Sequence, residues 1–451
     1  MKKVLIITTH FAPDIHVGAK RMTKFAKYLP LYGWEPIILT KEVSEYHGID
    51  QTLLQELPTD SPIYRVKGWR LSGDQTSPAQ TTPENAIQGK QVRAVFQHHL
   101  IKAANFLLFY DYSWLLPAFL TARRLVRENN IRVIYSSSPN PEAHLVALLL
   151  RLTLPVKWIC EFRDPWTLVH FYYPHISFIQ RKSDKYLEVL TLRCSDHIVS
   201  VGQVLKEELI KLGGNLHQDK VSVIYNGYDK DDFLSNVAAV EKEDRCVITY
   251  VGTWGPGRSP EYFLEALAGL LRHSPDMKER LRINFIGEFK YSPDLEKRIR
   301  RYIEQTNLSD VVSIIPWLPY KEALARLLAS DILLLVERPE SCTNNNLWVV
   351  TSKIFLYLYA RKPILALLPS GGEAARIIRE TSAGETVVPT DVDRIEDKIY
   401  DLYKRFESGE LTCNTTKIER FERRIQTGML AEIFDSMVAG RVSPKAGVCT
   451  T

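Results

Sequence analysis

Residues 250–271 read YVGTWGPGRSPEYFLEALAGLL, in which glycines at positions 252, 255 and 257 separate two segments of different character. The apolar run 247–251 that leads into this stretch predicts a buried strand, and the segment after the glycines predicts a helix. Glycines between a strand and a helix leave backbone amides exposed beside the helix N-terminus, where they can meet an anion. The stretch therefore predicts a βα unit with a ligand site in its loop.

Apolar runs alternate with helical segments on both sides of this stretch. Towards the C-terminus they predict strands at 282–286, 311–315, 332–336, 363–368 and 386–388. Towards the N-terminus they predict strands at 4–8, 34–40, 133–136, 157–162, 197–201 and 221–225. Such alternation is typical of a doubly wound parallel sheet, so the chain is predicted to be an α/β protein with two Rossmann-like halves in tandem.

The domain boundaries follow from changes in composition. Residues 230–245 are charged and contain few large apolar side chains, which is typical of a linker. The sequence therefore predicts one domain at 1–229, a linker at 230–245 and a second domain at 246–417. Residues 418–451 are predicted to form a terminal helix that packs back on the first domain, followed by a tail.

Composition and charge exclude several classes of protein. The chain has 451 residues, 45% apolar and 25% charged, so neither disorder nor a fibrous repeat is its main organisation. The net charge of +5 is too small to indicate a nucleic-acid coat, and it is compatible with an anionic ligand or membrane surface. The 6 cysteines stand far apart, with no CxxC pair and no histidine at ligand spacing. This pattern predicts reduced thiols and no metal site.

Two apolar segments bear on where the protein resides. The N-terminal apolar run is short and turns polar at Thr8, which is typical of a buried strand rather than of a signal peptide. The most apolar region, 103–122, is interrupted by Asp111 and Pro117 and falls short of the ~18 uncharged residues of a spanning helix. We therefore expect a cytoplasmic protein without a transmembrane helix.

Several side chains are candidates for holding an anionic ligand at the sheet edges. Arg258 follows Gly252 and offers a forked donor for a diphosphate. Lys353 stands near the start of a predicted helix, where it can pair with phosphate or sugar, and Glu373 opens a second helix at the same edge. The alternatives are a surface arginine, a solvated lysine and a glutamate that stabilises a helix start. In the first half, Gly18 permits a ligand to approach the backbone closely.

Five ordered blocks of the sequence resemble one protein family. They read TTHFAPDIHVGAKRMTKFAKYLPLYGWEPIILT (8–40), CEFRDPW (160–166), VSVIYNGYD (221–229), YVGTWGPGRSPEYFLEAL (250–267) and SKIFLYLYARKPILALLPSGGEAARII (352–378). Together they resemble the glycosyltransferase group 1 family, also called family 4, of the GT-B fold, and in particular members that build bacterial envelope polysaccharides. The resemblance spans essentially the whole chain.

The resemblance implies two Rossmann-like doubly wound domains that face a cleft, with an acceptor on the N-terminal domain and a nucleotide-sugar donor on the C-terminal domain. It implies transfer of a hexosyl or N-acetylhexosaminyl group from a nucleotide diphosphate to a glycan or lipid-linked glycan, with retention of anomeric configuration. Neither a metal nor another cofactor is implied, because basic side chains and helix dipoles stabilise the leaving diphosphate. The resemblance also implies that Gly18 lies near the reacting centre and that Asn226, Gly227 and Asp229 line the cleft.

Two residues of the first half are candidates for catalysis on this reading. Asp164 directly follows the predicted strand 157–162, where it can orient or deprotonate an acceptor hydroxyl. The alternative is an aspartate that pairs with Arg163 or caps the adjacent turn. His10 stands at the end of the first predicted strand, where it can take part in chemistry or make a loop hydrogen bond.

The sequence departs from the family at one site. Members often carry two glutamates separated by seven residues, and here Trp348 and Leu356 stand at the matching positions. A donor ribose hydroxyl then lacks its acceptor, unless Glu373 replaces it. The departure leaves open a non-catalytic nucleotide-sugar binder or a scaffold of polysaccharide assembly. Within enzymes, the alternative is a nucleotide-sugar epimerase, a class that can share the two-domain architecture.

One further segment bears on a membrane partner. Residues 92–127 combine a helical apolar period with an aromatic patch, which is followed by Arg123, Arg124 and Arg127. Such a segment is typical either of a core helix or of a surface that contacts a membrane carrying an anionic lipid-linked acceptor. Peripheral contact with the inner face of the cell membrane is therefore an open alternative for this cytoplasmic protein.

Overall fold

The computed structural model describes residues 1–45, 48–58, 61–68, 112–168, 177–234, 240, 242–255, 258–289, 293–339 and 347–440. The described chain divides into two compact units. The first comprises the described residues within Met1–Val201, Leu205–Tyr225 and Thr427–Thr451, and the second those within Gly202–Val204 and Asn226–Gln426. The second unit therefore begins at Asn226, a few residues before the predicted linker, of which residues 235–239 and 241 lie outside the described chain.

A parallel sheet forms the centre of the first unit. Its strands are β1 Lys2–Thr8, β2 Trp34–Lys41, β3 Ile63–Val66, β4 Val133–Ser137, β5 Lys157–Phe162, β6 His197–Ser200 and β7 Val221–Val223. They lie in the order β3-β2-β1-β4-β5-β6-β7, and neighbouring strands are parallel. The helices of this part of the chain are α1 Val17–Tyr28, α2 Tyr112–Glu128, α3 Glu142–Thr153, α4 Phe178–Cys194 and α5 Gln203–Leu212.

The second unit contains a parallel sheet of the same kind. Its strands are β8 Cys246–Val251, β9 Leu281–Ile286, β10 Val312–Ile315, β11 Ile332–Val336, β12 Ile364–Leu367 and β13 Gly384–Val387, in the order β10-β9-β8-β11-β12-β13. Its helices are α6 Asp231–Leu234, α7 Glu261–His273, α8 Pro293–Gln305, α9 Tyr320–Ala329, α10 Lys353–Ala360, α11 Glu373–Thr381 and α12 Val392–Glu407. The chain returns through α13 Arg423–Val438, whose residues from Thr427 onward belong to the first unit.

Apolar strands buried between helices form the core of each unit. In the second unit, Ile248, Ile283 and Leu334 come from three neighbouring strands and are fully buried. The core of the first unit includes side chains of α13, among them Phe434. Burial of both sheet faces requires strands that are apolar along their whole length, which is why these strands read as continuous apolar runs rather than as alternating ones.

The strand order of each sheet reverses at one point, between β1 and β4 in the first unit and between β8 and β11 in the second. The connections leave neighbouring strands towards opposite faces at such a point, and ligands of these sheets bind in the resulting crevice at the carboxyl ends. The residues that directly follow these strands are Thr9 and Ser138 in the first unit, and Gly252 and Glu337 in the second. These four strand ends are the places where functional side chains are expected.

The observed strands confirm the predicted α/β class and its two Rossmann-like halves. The strand β3 was not predicted, because its side chains are only partly buried and form no long apolar run. The segment 92–127 is described only from residue 112 onward, where α2 accommodates Pro117. No helix within the described ranges is long and apolar enough to cross a membrane.

The cysteines differ from the prediction at one position. Cys194 is disulfide-bonded, so the prediction of six reduced thiols is wrong. Sequence spacing cannot show which cysteines approach one another in space. Cys160, Cys246 and Cys413 are free thiols, the first two of them buried.

Candidate functional site

Lys353 is the first residue of α10, and its ammonium contacts the end of β8. Its Nζ donates a hydrogen bond to Tyr250 Oη at 2.7 Å and lies 4.0 Å from the centroid of the Tyr250 ring. Burial of the ammonium and the charge of Arg258 together lower the pKa of Lys353 to about 7, although the charge of Glu337 opposes the shift. A lysine in this state gains a proton readily when an anion binds beside it.

Arg258 forms an ion pair with Glu337. Nε and Nη2 of Arg258 donate to Oε2 of Glu337 at 3.2 and 2.5 Å. Glu337 is only 6% exposed, and its second oxygen, Oε1, has no hydrogen-bond partner within the described chain. A buried carboxylate oxygen without a hydrogen-bond partner is costly. Sequence reasoning missed Glu337, although its place directly after the apolar run 332–336 was a signal.

Glycine shapes the loop that carries Arg258. Gly252 has a φ of +145°, which side-chain-bearing residues rarely adopt, and a Cβ there would lie 2.6 Å from Lys353 Nζ. Gly255 and Arg258 exchange two backbone hydrogen bonds of 3.1 and 2.9 Å, which close a tight turn. Gly257 lies outside the described residues. The loop thus brings Gly252, Arg258 and Lys353 together, as their predicted positions at one sheet edge required.

Aromatic side chains hold Gly252, Arg258 and Lys353 in position. The Tyr250 ring stacks on Trp254 with 3.7 Å between the centroids. The hydroxyl of Tyr357, in α10, accepts a hydrogen bond from the Val251 amide at 2.9 Å and ties the helix to the end of β8. The side chains that carry the charge at this edge are therefore supported by a rigid, buried shell.

The two positions that carry glutamates in the family are apolar here, as the sequence indicated. Leu356 is partly buried in α10, and Trp348 is buried with its indole Nε1 lacking a hydrogen-bond partner in the described structure. Glu337 is instead the carboxylate whose charge acts on Lys353. The site therefore contains a carboxylate, but on a strand end rather than on the helix.

Glu373 has a buried position at the start of α11. Its Oε2 accepts a hydrogen bond from the Val204 amide at 2.7 Å, and its Oε1 pairs with Arg376. The Glu373 amide donates to the Leu347 carbonyl at 2.7 Å. Through these contacts Glu373 connects the start of α11 to Val204 and Leu347 within the second unit. Its contact with a nucleotide-sugar donor stays a prediction.

The segment that begins the second unit is held by local hydrogen bonds. The carbonyl of Asn226 accepts a hydrogen bond from Gln426 Nε2 at 3.1 Å, and Asp229 Oδ1 accepts one from the Asp231 amide at 3.1 Å. The role of Asn226, Gly227 and Asp229 in lining a cleft stays a prediction.

In the first unit, His10 belongs to a compact group of polar side chains. Its Nδ1 lies 2.6 Å from Asp14 Oδ2, and its ring stacks on His16 with 4.0 Å between the centroids. Although burial raises it, hydrogen bonds from the His10 side chain and the His16 backbone hold the pKa of Asp14 below its ordinary value. A carboxylate paired with an imidazole can accept a proton from a substrate hydroxyl. The sequence predicted His10 but not Asp14.

Gly18 lies in the first turn of α1, directly against Arg163. A Cβ at Gly18 would be 1.9 Å from Arg163 Nη1, so this position admits only glycine while the guanidinium stays in place. Arg163 is fixed to the end of β4, because its Nε donates to the Ser138 carbonyl and its amide donates to Ser138 Oγ at 3.0 Å. Arg163, which belongs to the CEFRDPW block, thus packs against the helix that follows the β1 loop.

Asp164 follows Arg163 at the end of β5 and is exposed at the surface. Desolvation of the carboxyl group raises the pKa of Asp164, although the charge of Arg163 opposes the shift. The next turn is anchored by Glu188, which accepts hydrogen bonds from the amides of Trp166 and Thr167, both at 3.0 Å. The loop therefore holds Asp164 on a fixed backbone.

Comparison with known proteins identifies part of the chain at the sequence level. Residues 79–232 match the family model described as Glycosyltransferase Family 4. The O-antigen chain mannosyltransferase RfbU of Salmonella typhimurium is 27% identical over 159 residues, which cover 35% of this chain and 38% of that protein. The chain is thus matched over less than half of the length of this curated relative.

Comparison with solved structures extends over nearly the whole chain. HepE of Anabaena, solved in complex with UDP, has a TM-score of 0.62 at 13% identity, covering 97% of this chain and 100% of that one. A glycosyltransferase from Rickettsia africae has a TM-score of 0.59 at 16% identity, covering 97% and 98%. These likenesses confirm the GT-B fold. The match at residues 79–232 is to the family that the five sequence blocks resemble.

Proposed function

We propose that the protein is a retaining glycosyltransferase that moves a hexosyl or N-acetylhexosaminyl group from a nucleotide-diphosphate sugar to a glycan or lipid-linked glycan, in the synthesis of a cell-envelope polysaccharide. The family supports transfer, and the name of the curated relative, an O-antigen chain mannosyltransferase, supports a polysaccharide product. The mode of transfer, retention, follows from the family resemblance.

The main support for the proposal is a pair of cations at the point where the strand order of the second sheet reverses. Lys353 reaches this edge from the first turn of α10, and Arg258 reaches it from the loop after β8. Departure of a sugar leaves an additional negative charge on the diphosphate. A protonated lysine and a forked guanidinium that are already in position stabilise this charge without reorganisation. On this basis the proposal includes no metal and no further cofactor.

Glu337 supplies the carboxylate that Leu356 and Trp348 lack. Its Oε2 orients Arg258, and its partnerless Oε1 accepts a hydrogen bond from a hydroxyl group of the donor. A hydrogen bond to a charged group contributes roughly 1.5–3 kcal/mol, enough to distinguish a hydroxyl-bearing donor from one without it. This arrangement favours an active enzyme over a binder that has lost its nucleotide contacts.

The acceptor is assigned to the first unit. Asp164 is exposed on a fixed loop, and the His10–Asp14 pair is 2.6 Å apart after β1. Either group has the chemistry to take or orient the proton of an acceptor hydroxyl.

Peripheral membrane contact in the cytoplasm is part of the proposal, supported by one face of α4. Phe178, Ile179 and Tyr186 are each at least 68% exposed on this helix. Lys182 and Lys185 are exposed at intervening turns, so the five residues follow helical spacing along one side. Apolar side chains flanked by lysines suit the interface of an anionic lipid surface, where a lipid-linked acceptor is found.

The donor site is tested by thermal unfolding of the full chain with UDP, GDP and ADP and their common sugar conjugates. Because HepE was solved with UDP, the uridine series is measured first. A ligand at a hundred times its Kd adds ~2.7 kcal/mol to stability, which gives a measurable shift. We expect a shift with one base, lost in Lys353→Met and kept in Lys321→Met, an exposed lysine of α9.

Turnover distinguishes the alternatives. With the selected donor and glycan extracts, a transferase releases nucleotide only when an acceptor is present, and Lys353→Met slows the release roughly 10²–10³-fold. Change of the donor without any acceptor would favour an epimerase. A selective thermal shift without turnover would favour a non-catalytic binder, and no shift with any nucleotide would contradict the donor site.

A further inference from the structure

The Tyr250 hydroxyl stands between the Lys353 ammonium and the loop that follows β8. It accepts a hydrogen bond from Lys353 Nζ at 2.7 Å and donates its own proton to the Thr253 carbonyl at 3.2 Å. A phenol has one proton to give, so the bond to Thr253 uses that proton and leaves an oxygen lone pair for the ammonium. The hydroxyl is therefore held in one direction from both sides.

The surroundings of Tyr250 keep its hydroxyl in this state. The residue is fully buried, and its ring stacks on Trp254 with 3.7 Å between the centroids. Burial raises the pKa of Tyr250 well above its ordinary value, so the phenol keeps its proton at neutral pH. Tyr250 is thus a fixed hydrogen-bonding group that does not itself ionise.

The Thr253 carbonyl is a fixed acceptor for the phenol proton. The residues on either side, Gly252 and Trp254, each donate a backbone hydrogen bond of 2.9 Å to a carbonyl at or just beyond the end of β9. Thr253 is therefore anchored through both neighbours, and its carbonyl can orient the Tyr250 hydroxyl without moving.

The Lys353 ammonium depends on Tyr250 for its position. In the part of the chain that the structure describes, the Tyr250 hydroxyl is the one hydrogen-bond acceptor of this ammonium, which also lies 4.0 Å from the centroid of the same ring. The charge of Arg258 disfavours protonation of the lysine, and that of Glu337 favours it. An ammonium has three N–H groups, and Lys353 is partly exposed, so two of them remain for the oxygens of an anion.

We propose that Tyr250 is a positioning residue of the transfer reaction, whose hydroxyl aims the Lys353 ammonium at the leaving diphosphate. The proposal rests on the proposed function, because the diphosphate is that of the nucleotide-sugar donor. Tyr250 is buried and acts through Lys353 rather than on the diphosphate itself. A cation that is already aimed stabilises the growing charge of the transition state without reorganisation. The hydroxyl therefore contributes more to turnover than to donor binding.

The first test measures protonation of Lys353 in the full chain without any nucleotide. The protein is labelled with trace acetic anhydride at a series of pH values, and mass spectrometry compares Lys353 with the exposed Lys321. Only the neutral amine reacts. Tyr250→Phe keeps the ring and removes the hydroxyl, so we expect the pH of half-maximal labelling of Lys353 to fall by roughly half a unit or more, because the ammonium loses its acceptor.

The matched control is Tyr262→Phe, a tyrosine of α7 that is 39% exposed, and it should leave the labelling profile of Lys353 unchanged. The same half-maximal pH in Tyr250→Phe and the wild type would overturn the proposal. A Lys353 that is labelled at no pH would overturn it as well, since an amine closed to a small reagent cannot receive a diphosphate. A merely structural role of Tyr250 lowers the melting temperature but does not move the half-maximal pH.

The second test measures turnover with the donor and acceptor that the protein uses. Tyr250→Phe should lower kcat roughly tenfold and change KM little, whereas Tyr262→Phe should leave both unchanged. Because Tyr250 acts through Lys353, the double variant Tyr250→Phe/Lys353→Met should be no slower than Lys353→Met alone. If the two changes slow the reaction by independent factors, Tyr250 acts elsewhere and the proposal is wrong.

Failure of the proposed function gives a different result. A labelling profile that shifts in Tyr250→Phe, together with no turnover of any nucleotide sugar, would contradict the transferase and support the contact of Tyr250 with Lys353. An unshifted profile with normal turnover of the donor would contradict only the role of Tyr250.

Discussion

Lys353 shows how one side chain acquires a functional state from its surroundings. Its ammonium is held by the Tyr250 hydroxyl and ring, in a place where water is largely excluded. Since burial disfavours the charged form, the pKa falls to about 7 from an ordinary value of about 10.4. An arriving diphosphate reverses this effect, because its negative charge favours the protonated lysine.

Nucleotide binding is therefore expected to take up a proton at Lys353. Below a pH of about 7 the lysine is already charged, and the Kd of the nucleotide should not depend on this group. Above it, affinity should fall by up to roughly tenfold per pH unit, because the free lysine has lost the proton that the complex requires. Calorimetry near pH ~8 in buffers of different ionisation enthalpy measures the uptake. If Lys353→Met takes up the same number of protons when the nucleotide binds, the proton goes to another group.

A second prediction at the scale of a residue concerns the carboxylate of Glu337. Replacement by Gln keeps the shape but removes the charge, so the donor hydroxyl loses a charge-assisted hydrogen bond worth roughly 1.5–3 kcal/mol. We expect kcat/KM with the nucleotide sugar to fall roughly 10- to 100-fold in Glu337→Gln. The exposed Glu288→Gln is the matched control. Unchanged turnover in Glu337→Gln would remove this carboxylate from the donor site.

At the scale of an element, helices take different roles according to the face that they bury. The helix α10 buries Ile354, Phe355 and Leu358 against its unit and presents Lys353 from its first turn. In α4 the buried face carries polar side chains, among them Gln180, Asp184 and Glu188, while large apolar residues remain outside. Exposed apolar side chains grouped on one face in this way are typical of an interaction surface.

The exposed face of α4 is expected to bind anionic membranes. Phe178→Ser combined with Tyr186→Ser should weaken sedimentation with phosphatidylglycerol vesicles at least several-fold, because both aromatic contacts with the interface are removed. Lys182→Gln combined with Lys185→Gln should reduce the salt dependence of binding. The control is Leu152→Ser, an exposed apolar residue of α3. Equal binding by all variants would contradict the assignment of this face.

At the scale of the whole molecule, the end of the chain completes the core at its beginning. Phe434 of α13 is fully buried, with ring centroids 5.2 Å from Trp34 and 5.7 Å from Tyr135 in edge-on contacts. The indole of Trp34 donates to Asp435 Oδ1 at 3.0 Å. The first unit is thus held together by residues about 400 positions apart, of the kind that only a closed fold brings into contact.

Phe434→Ala is expected to destabilise the first unit by roughly 3–5 kcal/mol, the usual cost of an aromatic core truncation that leaves a cavity. Urea unfolding followed by tryptophan fluorescence measures the change, and Trp34 and Trp158 are buried reporters in this unit. Met429→Ala, in a partly exposed position of the same helix, should change stability by less than about 1 kcal/mol. Equal effects of the two variants would show that α13 does not contribute to the core in this way.

Much of the fold and part of the candidate site could be predicted before the structure. The run ILLLV coincides with β11, since a strand buried on both faces must be apolar along its length. Gly252, Arg258 and Lys353 were predicted at one edge because parallel strands end on the same side. By contrast, β3 was missed because an edge strand with half-buried side chains leaves no distinct pattern.

By itself the sequence determined the class of fold and most of the strands and helices, because burial selects side chains within each segment and leaves a local periodic pattern. Only the tertiary structure decided which charges meet. Arg258 pairs with Glu337, Glu373 accepts a hydrogen bond from the Val204 amide, and the Arg163 guanidinium lies against Gly18. These partners are far apart along the chain, and the order of strands across each sheet brings them together. No local sequence pattern predicts the order of the strands, because that order results from packing of the whole unit.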